Sequence, residues 1–428
     1  MKRREFLKSA AAALTIPTLA SSVSSSQENA AVSPSNQITL GFIGVGGHGT
    51  SWNLAAFLKI PEARVLAVCD VYRDRRDKAR DIVNSAYGNT DCTTHTDFRE
   101  ILARPDIDGV VISTPDHWHV LMSIMAAKAG KHVFCEKPTL TVEEGQVLID
   151  VIRRTGVVYQ GGIEDRSVDI YHRMAELVRN GGLGRLKRIL VVLPEGEVFE
   201  KEEEAPVPDG FDYDLWLGPA PYTPYTPSKT EQQHWRNVWD YSGGKLTDWG
   251  AHLLDTAQVA MLQEHGGPLT IDGKGTFPKN AMTTTATKYK IYYQYPNGVE
   301  MIVKSGGTGI RFEGTDGWVQ SPAWREPLEA SDPEILEAVF APGENKMWPL
   351  PPTEHQSFID GVKGPSTPYY TPEDIHHLST AMHLGNISMR VGRKLKWDPV
   401  REVCVDDDEA NALLSRPMRA PWTLKDTT

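Results

Sequence analysis

From residue 38 onward, short apolar runs alternate with stretches of helical period, a pattern that predicts a parallel sheet covered on both faces. Residues 38–43, 64–69, 109–113, 132–135 and 157–160 are brief, continuous and apolar, as buried strands are. The stretches up to about residue 58 and over 74–87, 117–129 and 141–155 place apolar residues at helical spacing between them. Beyond about Gly161 the pattern changes. A helix over 167–180 leads into longer β-rich runs at 186–193, 288–295 and 299–304, with a late helix over 374–393. These predict a second, α+β domain with a largely antiparallel open sheet. The fold class expected is therefore α/β: a doubly wound dinucleotide-type domain over 36–161, and an α+β domain over 162–428. Residues 195–209 are rich in acids and prolines and read as an exposed excursion.

Composition changes this picture little. The 428 residues leave room for two domains with one buried core in each. A net charge of −11 argues against a polyanion-binding surface, so no nucleic-acid partner is expected. The four cysteines, Cys69, Cys92, Cys135 and Cys404, have no zinc or redox spacing.

Residues 1–35 read as a targeting segment and linker. Lys2-Arg3-Arg4-Glu5-Phe6-Leu7-Lys8 is a twin-arginine sequence, followed by a mild apolar run over 10–20 and a Ser-rich stretch over 21–26. The apolar run is too short to span a bilayer as a helix, which takes about 20 residues. The expected location is periplasmic or otherwise exported, with the twin-arginine machinery as a transient partner. That route carries proteins already folded, which suits a bound cofactor.

Gly44-Val45-Gly46-Gly47-His48-Gly49 is a G-x-G-x-x-G turn between the first strand and a helix, and the next strand ends at Asp70. In that context Gly44, Gly46 and Gly49 let the backbone approach a pyrophosphate, and Asp70 can accept hydrogen bonds from ribose hydroxyls. The cofactor expected is NAD. NADP is not excluded, since Arg73, Arg75 and Arg76 follow closely, although an acid at Asp70 repels a 2′-phosphate.

Two candidates carry chemistry. Lys137, in Cys135-Glu136-Lys137-Pro138, follows a strand at its carboxyl end, where open α/β sheets bind ligands. A lysine there can stabilise a developing alkoxide. Asp248 and His252 are four apart, so on one helix they share a face, the carboxylate orienting an imidazole base or binding a neighbouring hydroxyl. Trp235, Trp239, Tyr241 and Trp249 crowd the same stretch, and flat rings suit sugar C–H faces as well as core packing. His117-Trp118-His119 and His376-His377 lack partners at ligand spacing, so no metal is expected.

Together these motifs resemble the glucose–fructose oxidoreductase, inositol dehydrogenase and rhizopine-catabolism family (Gfo/Idh/MocA). The resemblance runs over most of 38–400 and includes Thr114-Pro115 with His119, Ala129-Gly130-Lys131-His132-Val133 leading to Glu136-Lys137-Pro138, and the distant Asp248…His252 pair. Gly314-Thr315-Asp316-Gly317-Trp318 and Gly392-Arg393-Lys394-Leu395-Lys396-Trp397-Asp398 resemble its twin-arginine-exported branch. The resemblance implies that Lys137, Asp248 and His252 are catalytic, that Thr114, Pro115, His119 and Glu136 lie along the cofactor with Lys137, and that the protein is a homo-oligomer. It implies oxidation of a hydroxyl on a sugar, glycoside or polyol, and export, with no free NAD outside, implies that the NAD stays bound. Two alternatives stay open: a glycosidase or lyase that oxidises the sugar transiently, and a non-catalytic sugar-binding protein. Exported NAD-dependent glycosidases resembling this family typically replace the lysine of the E-K-P turn, whereas Lys137 is kept here.

Overall fold

The computed structural model describes residues 36–261, 267–341 and 343–424; the expected twin-arginine segment and linker over 1–35 lie outside the described residues. Six strands, β1 (Ile38–Ile43), β2 (Ala63–Cys69), β3 (Thr93–His95), β4 (Gly109–Ile112), β5 (His132–Glu136) and β6 (Tyr159–Gly162), form a parallel sheet in the order β3-β2-β1-β4-β5-β6. The order reverses between β1 and β4, which opens a crevice at the carboxyl ends of those strands. Every residue of β4 is buried, as expected for a sheet with helices on both faces. The three-residue edge strand β3, Thr93-Thr94-His95, is too short and polar to show a period in sequence.

The second sheet has nine strands: β7 (Arg188–Leu193), β8 (Thr270–Thr276), β9 (Lys288–Gln294), β10 (Glu300–Ser305), β11 (Gly309–Glu313), β12 (Trp318–Ser321), β13 (Glu329–Ala330), β14 (Leu395–Asp398) and β15 (Val403–Cys404). Their order is β13-β12-β11-β7-β10-β9-β8-β14-β15, antiparallel except for the β7–β10 pair. In β9 exposed and buried residues alternate strictly, because one face packs on helices and the other is open.

The two halves do not keep separate cores. β6 runs to Gly162, so the expected boundary after residue 161 falls inside a strand. Phe358 and Ile359, on the helix Glu354–Lys363, pack with Phe57 and Phe134 in the core of the first sheet. The long helix Pro372–Val391 lies against Val142–Thr155 as well as against β8. Its start is held by a capping box, Thr371 with Asp374, that satisfies backbone donors at a buried helix end.

The excursion from 194 to 242 crosses back onto the first sheet. Phe211 stacks on Tyr72 at 3.9 Å, the Arg73 N–H donates to the Gly210 carbonyl, and the Asp212 N–H donates to the Val71 carbonyl. Its own aromatic cluster, including Tyr213, Trp216, Tyr225, Trp235 and Tyr241, makes it a packed unit.

Candidate active site

A cleft of about 760 Å³ runs along the carboxyl ends of the first sheet and under the excursion. The glycine turn forms one end. Gly44 has φ +85°, and a Cβ there would lie 2.7 Å from the Ser113 carbonyl oxygen; a Cβ on Gly49 would lie 2.2 Å from that of Gly44. Only glycine permits this approach. Gly46 faces the cleft, with Arg75 as its nearest neighbour at 3.5 Å from a Cβ position. The Asp70 carboxylate braces the turn, accepting from the Val45 N–H at 2.9 Å and the Tyr72 N–H at 2.9 Å. Burial raises its pKa despite Arg75 and those backbone donors. Each oxygen keeps a lone pair for a ribose hydroxyl. Of the neighbouring arginines, Arg75 lies over the Tyr72 ring and lines the cleft, Arg76 donates to the Asp70 carbonyl, and Arg73 packs under Gly210.

Thr114 and Pro115 follow β4 and line the cleft, and the Thr114 hydroxyl is buried without a partner among the described residues. His119 is buried between the Thr114 and Pro138 carbonyls, 2.9 Å from each, and so ties the turn after β4 to the turn after β5. Glu136 meets the glycine turn: its Oε1 is 2.8 Å from His48 Nε2 and accepts from Asn53 Nδ2 at 2.9 Å. Burial opposes its ionisation, but His48, Lys137 and Asn53 outweigh burial and hold the carboxyl well below the usual range. His48 is shifted up by the same pairing. A glycine cradle, a braced carboxylate and an orphan hydroxyl fit the pyrophosphate and ribose of a dinucleotide.

At the other end Lys137 Nζ donates to the Asp248 carbonyl at 3.0 Å and to Asp248 Oδ1 at 3.3 Å. Burial pulls the lysine pKa down, yet Asp248 and Glu136 raise it above its ordinary value, so Lys137 is an ammonium. Asp248 also meets Arg236 Nε at 3.3 Å; against burial, Arg236, Lys137 and Lys245 keep it ionised far below the usual range.

The expected Asp248–His252 pairing on one helical face is corrected by the structure. The helix Lys245–Asp248 ends and Gly250–Met261 begins anew after Trp249, so Asp248 turns to Lys137. The carboxylate beside His252 is Asp165, with Nδ1 and Oδ2 3.0 Å apart, and Glu164 Oε1 stands 3.9 Å from the same nitrogen. Burial and Lys137 lower the His252 pKa, but Glu164 and Asp165 raise it above 6.5 overall. Arg325 in turn meets Asp165 at 2.7 Å and Glu164 at 3.3 Å. Glu164, Asp165 and His252 could by spacing surround a cation, and the Arg325 guanidinium already supplies one there. His117 and His376 bond instead to the Trp216 carbonyl and Glu402.

Glu164 and Asp165 stand just past the carboxyl end of β6, after Ile163, so the strand-end rule that singled out Lys137 also reaches them. Arg325 arrives from the loop after β12 and carries no sequence signal. Of the aromatic group, Trp249 lines the cleft beside Trp324 and His252. Tyr241 is buried in the excursion core, Trp235 sits at its border with the cleft, and Trp239 is held between Arg390 and Arg416.

A glycine turn at the switch point of a doubly wound sheet, facing a charged lysine and a histidine–carboxylate pair, defines a dinucleotide-dependent oxidoreductase. The chain belongs to the Gfo/Idh/MocA oxidoreductase family: residues 38–163 match its NAD-binding Rossmann fold and 198–424 its C-terminal alpha/beta domain. The cofactor is NAD. An uncharacterized oxidoreductase, ORF334, of Rhizobium meliloti is 33% identical over 187 residues, covering 42% of this chain and 54% of that one. A glycosyl hydrolase family 109 protein of Shewanella putrefaciens is 35% identical over 172 residues, covering 36% and 37%. The chain thus matches about half or less of the length of these relatives. The WlbA dehydrogenase of Bordetella pertussis, solved with NADH and UDP-GlcNAcA, superposes with a TM-score of 0.63 at 15% identity, covering 85% of this chain and 99% of that one.

Proposed function

We propose that this protein oxidises a hydroxyl of a sugar, glycoside or polyol, using NAD that stays bound through turnover. The observation that carries the reading is the meeting of Lys137 and His252, from opposite halves of the molecule, in one cleft with the glycine turn. Bound NAD supplies the hydride acceptor. Lys137, held cationic, donates a hydrogen bond to the reacting hydroxyl oxygen and stabilises it as negative charge develops. His252 in its neutral form takes the hydroxyl proton, while Asp165 orients the ring and stabilises the imidazolium that results. Asp248 holds Lys137 in place. The excursion supports cofactor retention: Thr230 bonds to Tyr72 at 2.5 Å, and Gln232 Oε1 lies 2.9 Å from a Cβ position on Gly47, over the pyrophosphate turn.

Purified without added nucleotide, the native protein should release a dinucleotide on denaturation, identifiable by mass. It should also change nicotinamide absorbance when mixed with a glycoside panel. Absence of both bound and bindable nucleotide would sink the reading.

One observation favours a second reading, oxidation followed by elimination. Glu164 is a further carboxylate on the cleft wall near His252, a group able to take a proton adjacent to a newly formed carbonyl, and the family 109 glycosyl hydrolase relatives fit such chemistry. Net accumulation of reduced cofactor or oxidised sugar separates the two. The twin-arginine sequence supports export with NAD already enclosed; with no free NAD outside the cytoplasm, the hydride goes either to a second substrate or, after elimination and addition of water, back to the ketone of the same sugar. The open face of the second sheet, with half-buried Leu190, Val192 and Ile302, suits a homo-oligomer.

A further inference from the structure

We propose that the sugar carries a carboxylate, and that Lys245 and Arg236 bind it. This rests on the oxidoreductase reading and adds a substrate class, a uronate or aldonate, to it.

Asp248 is one carboxylate among three cations: Lys137 and Arg236 each lie 3.3 Å from its Oδ1, and Lys245 also acts on it. On the facing wall Glu164 and Asp165 are set against the Arg325 guanidinium, with His252 neutral when it acts as the base. At the glycine turn Glu136 is set against His48. Around Asp248 itself three cations thus stand to one carboxylate. Lys137 has a task there, facing the oxygen that becomes negative. Arg236 and Lys245 have none in hydride transfer.

Lys245 is the sharper case. The residue is 7% exposed, and among the described hydrogen bonds its ammonium makes a single long one, 3.4 Å to Gln233 Oε1. An ammonium has three donors, and burying one so poorly satisfied is costly unless a ligand completes it. Gly244, before it, has φ +79° and packs closely on Thr285, which a Cβ there would approach to 2.8 Å. Lys245 and Arg236 both line the cleft next to the Lys137–Asp248 contact, at the reacting end. Trp249 and Trp324 present flat rings to the same space, so the anion they accompany has C–H surface as well as charge.

Holoenzyme is tested with paired methyl glycosides, glucoside against glucuronide and galactoside against galacturonide. The readouts are hydride transfer, tryptophan fluorescence titration and bound NAD by mass. The acid of each pair should be favoured by about tenfold or more in kcat/KM. Lys245→Met and, as a second variant, Arg236→Gln should each cut the acid-to-neutral ratio about 10–100-fold, as expected for lost charge-assisted hydrogen bonds. Neutral sugars used as well as acids would overturn the proposal while leaving the oxidoreductase reading standing. So would variants that lose NAD with the acid-to-neutral ratio unchanged, since the two cations would then serve the dinucleotide. If no sugar of either kind transfers hydride, the oxidoreductase reading fails, and fluorescence still decides whether the acid binds more tightly than its neutral partner.

Discussion

At the scale of single residues, the site is a lysine–carboxylate pair and a histidine–carboxylate pair with different tasks. Lys137 is held charged by Asp248 and Glu136, so it acts as a donor and not as a base. Lys137→Ala or His252→Ala should lower kcat about 10²–10⁴-fold while the protein retains NAD, measured by turnover and by nucleotide mass. His252 must be neutral to accept a proton, and its pKa is raised above 6.5 by the carboxylates around it. Oxidation should therefore rise with pH as His252 deprotonates, with the inflection of kcat/KM above 6.5. Asp165→Asn removes one raising charge and leaves Arg325 opposite the imidazole. The inflection should move to lower pH, by about one unit for each 1.4 kcal/mol of lost interaction. A profile that stays in place would show that Asp165 does not act on His252. Lys137 was legible from its strand-end position and His252 from its motif. Asp165 was overlooked because the i, i+4 spacing offered Asp248 as a nearer partner, and the helix break at Trp249 is invisible in that spacing.

At the scale of elements, the glycine turn and the excursion hold the cofactor between them. Gly49→Ala places a methyl 2.2 Å from the Gly44 carbonyl oxygen, so the turn must open. NAD should be absent from the purified variant, checked by mass. Phe211→Ala removes the ring stacked on Tyr72 and should speed NAD release about tenfold or more, followed by exchange with labelled nucleotide. The strands and helices flanking the turn were readable because a buried parallel sheet writes itself as continuous apolar runs. The excursion was readable only as an irregular, acidic and proline-rich stretch. Its docking rests on aromatic contacts and hydrogen bonds between distant segments, such as Tyr72 with Phe211 and Thr230 and His117 with the Trp216 carbonyl, which have no period along the chain.

At the scale of the molecule, the two sheets are joined by helices that return from the second half to the first. Phe358 is fully buried in the first sheet's core although it lies far along the chain. Phe358→Ala should cost about 3–5 kcal/mol and destabilise both halves in one transition, seen as coincident fluorescence and circular-dichroism melts. Two separate transitions would mean that the halves fold independently.

The chain by itself determined the order of strands and helices, the glycine turn with Asp70, and the position of Lys137, because each depends on neighbours within a few tens of residues. Tertiary structure alone decided which carboxylate serves His252, where Arg325 and Lys245 stand, and that the two halves share a core. Those depend on segments that are distant in sequence and meet only when buried surface and charge are satisfied together.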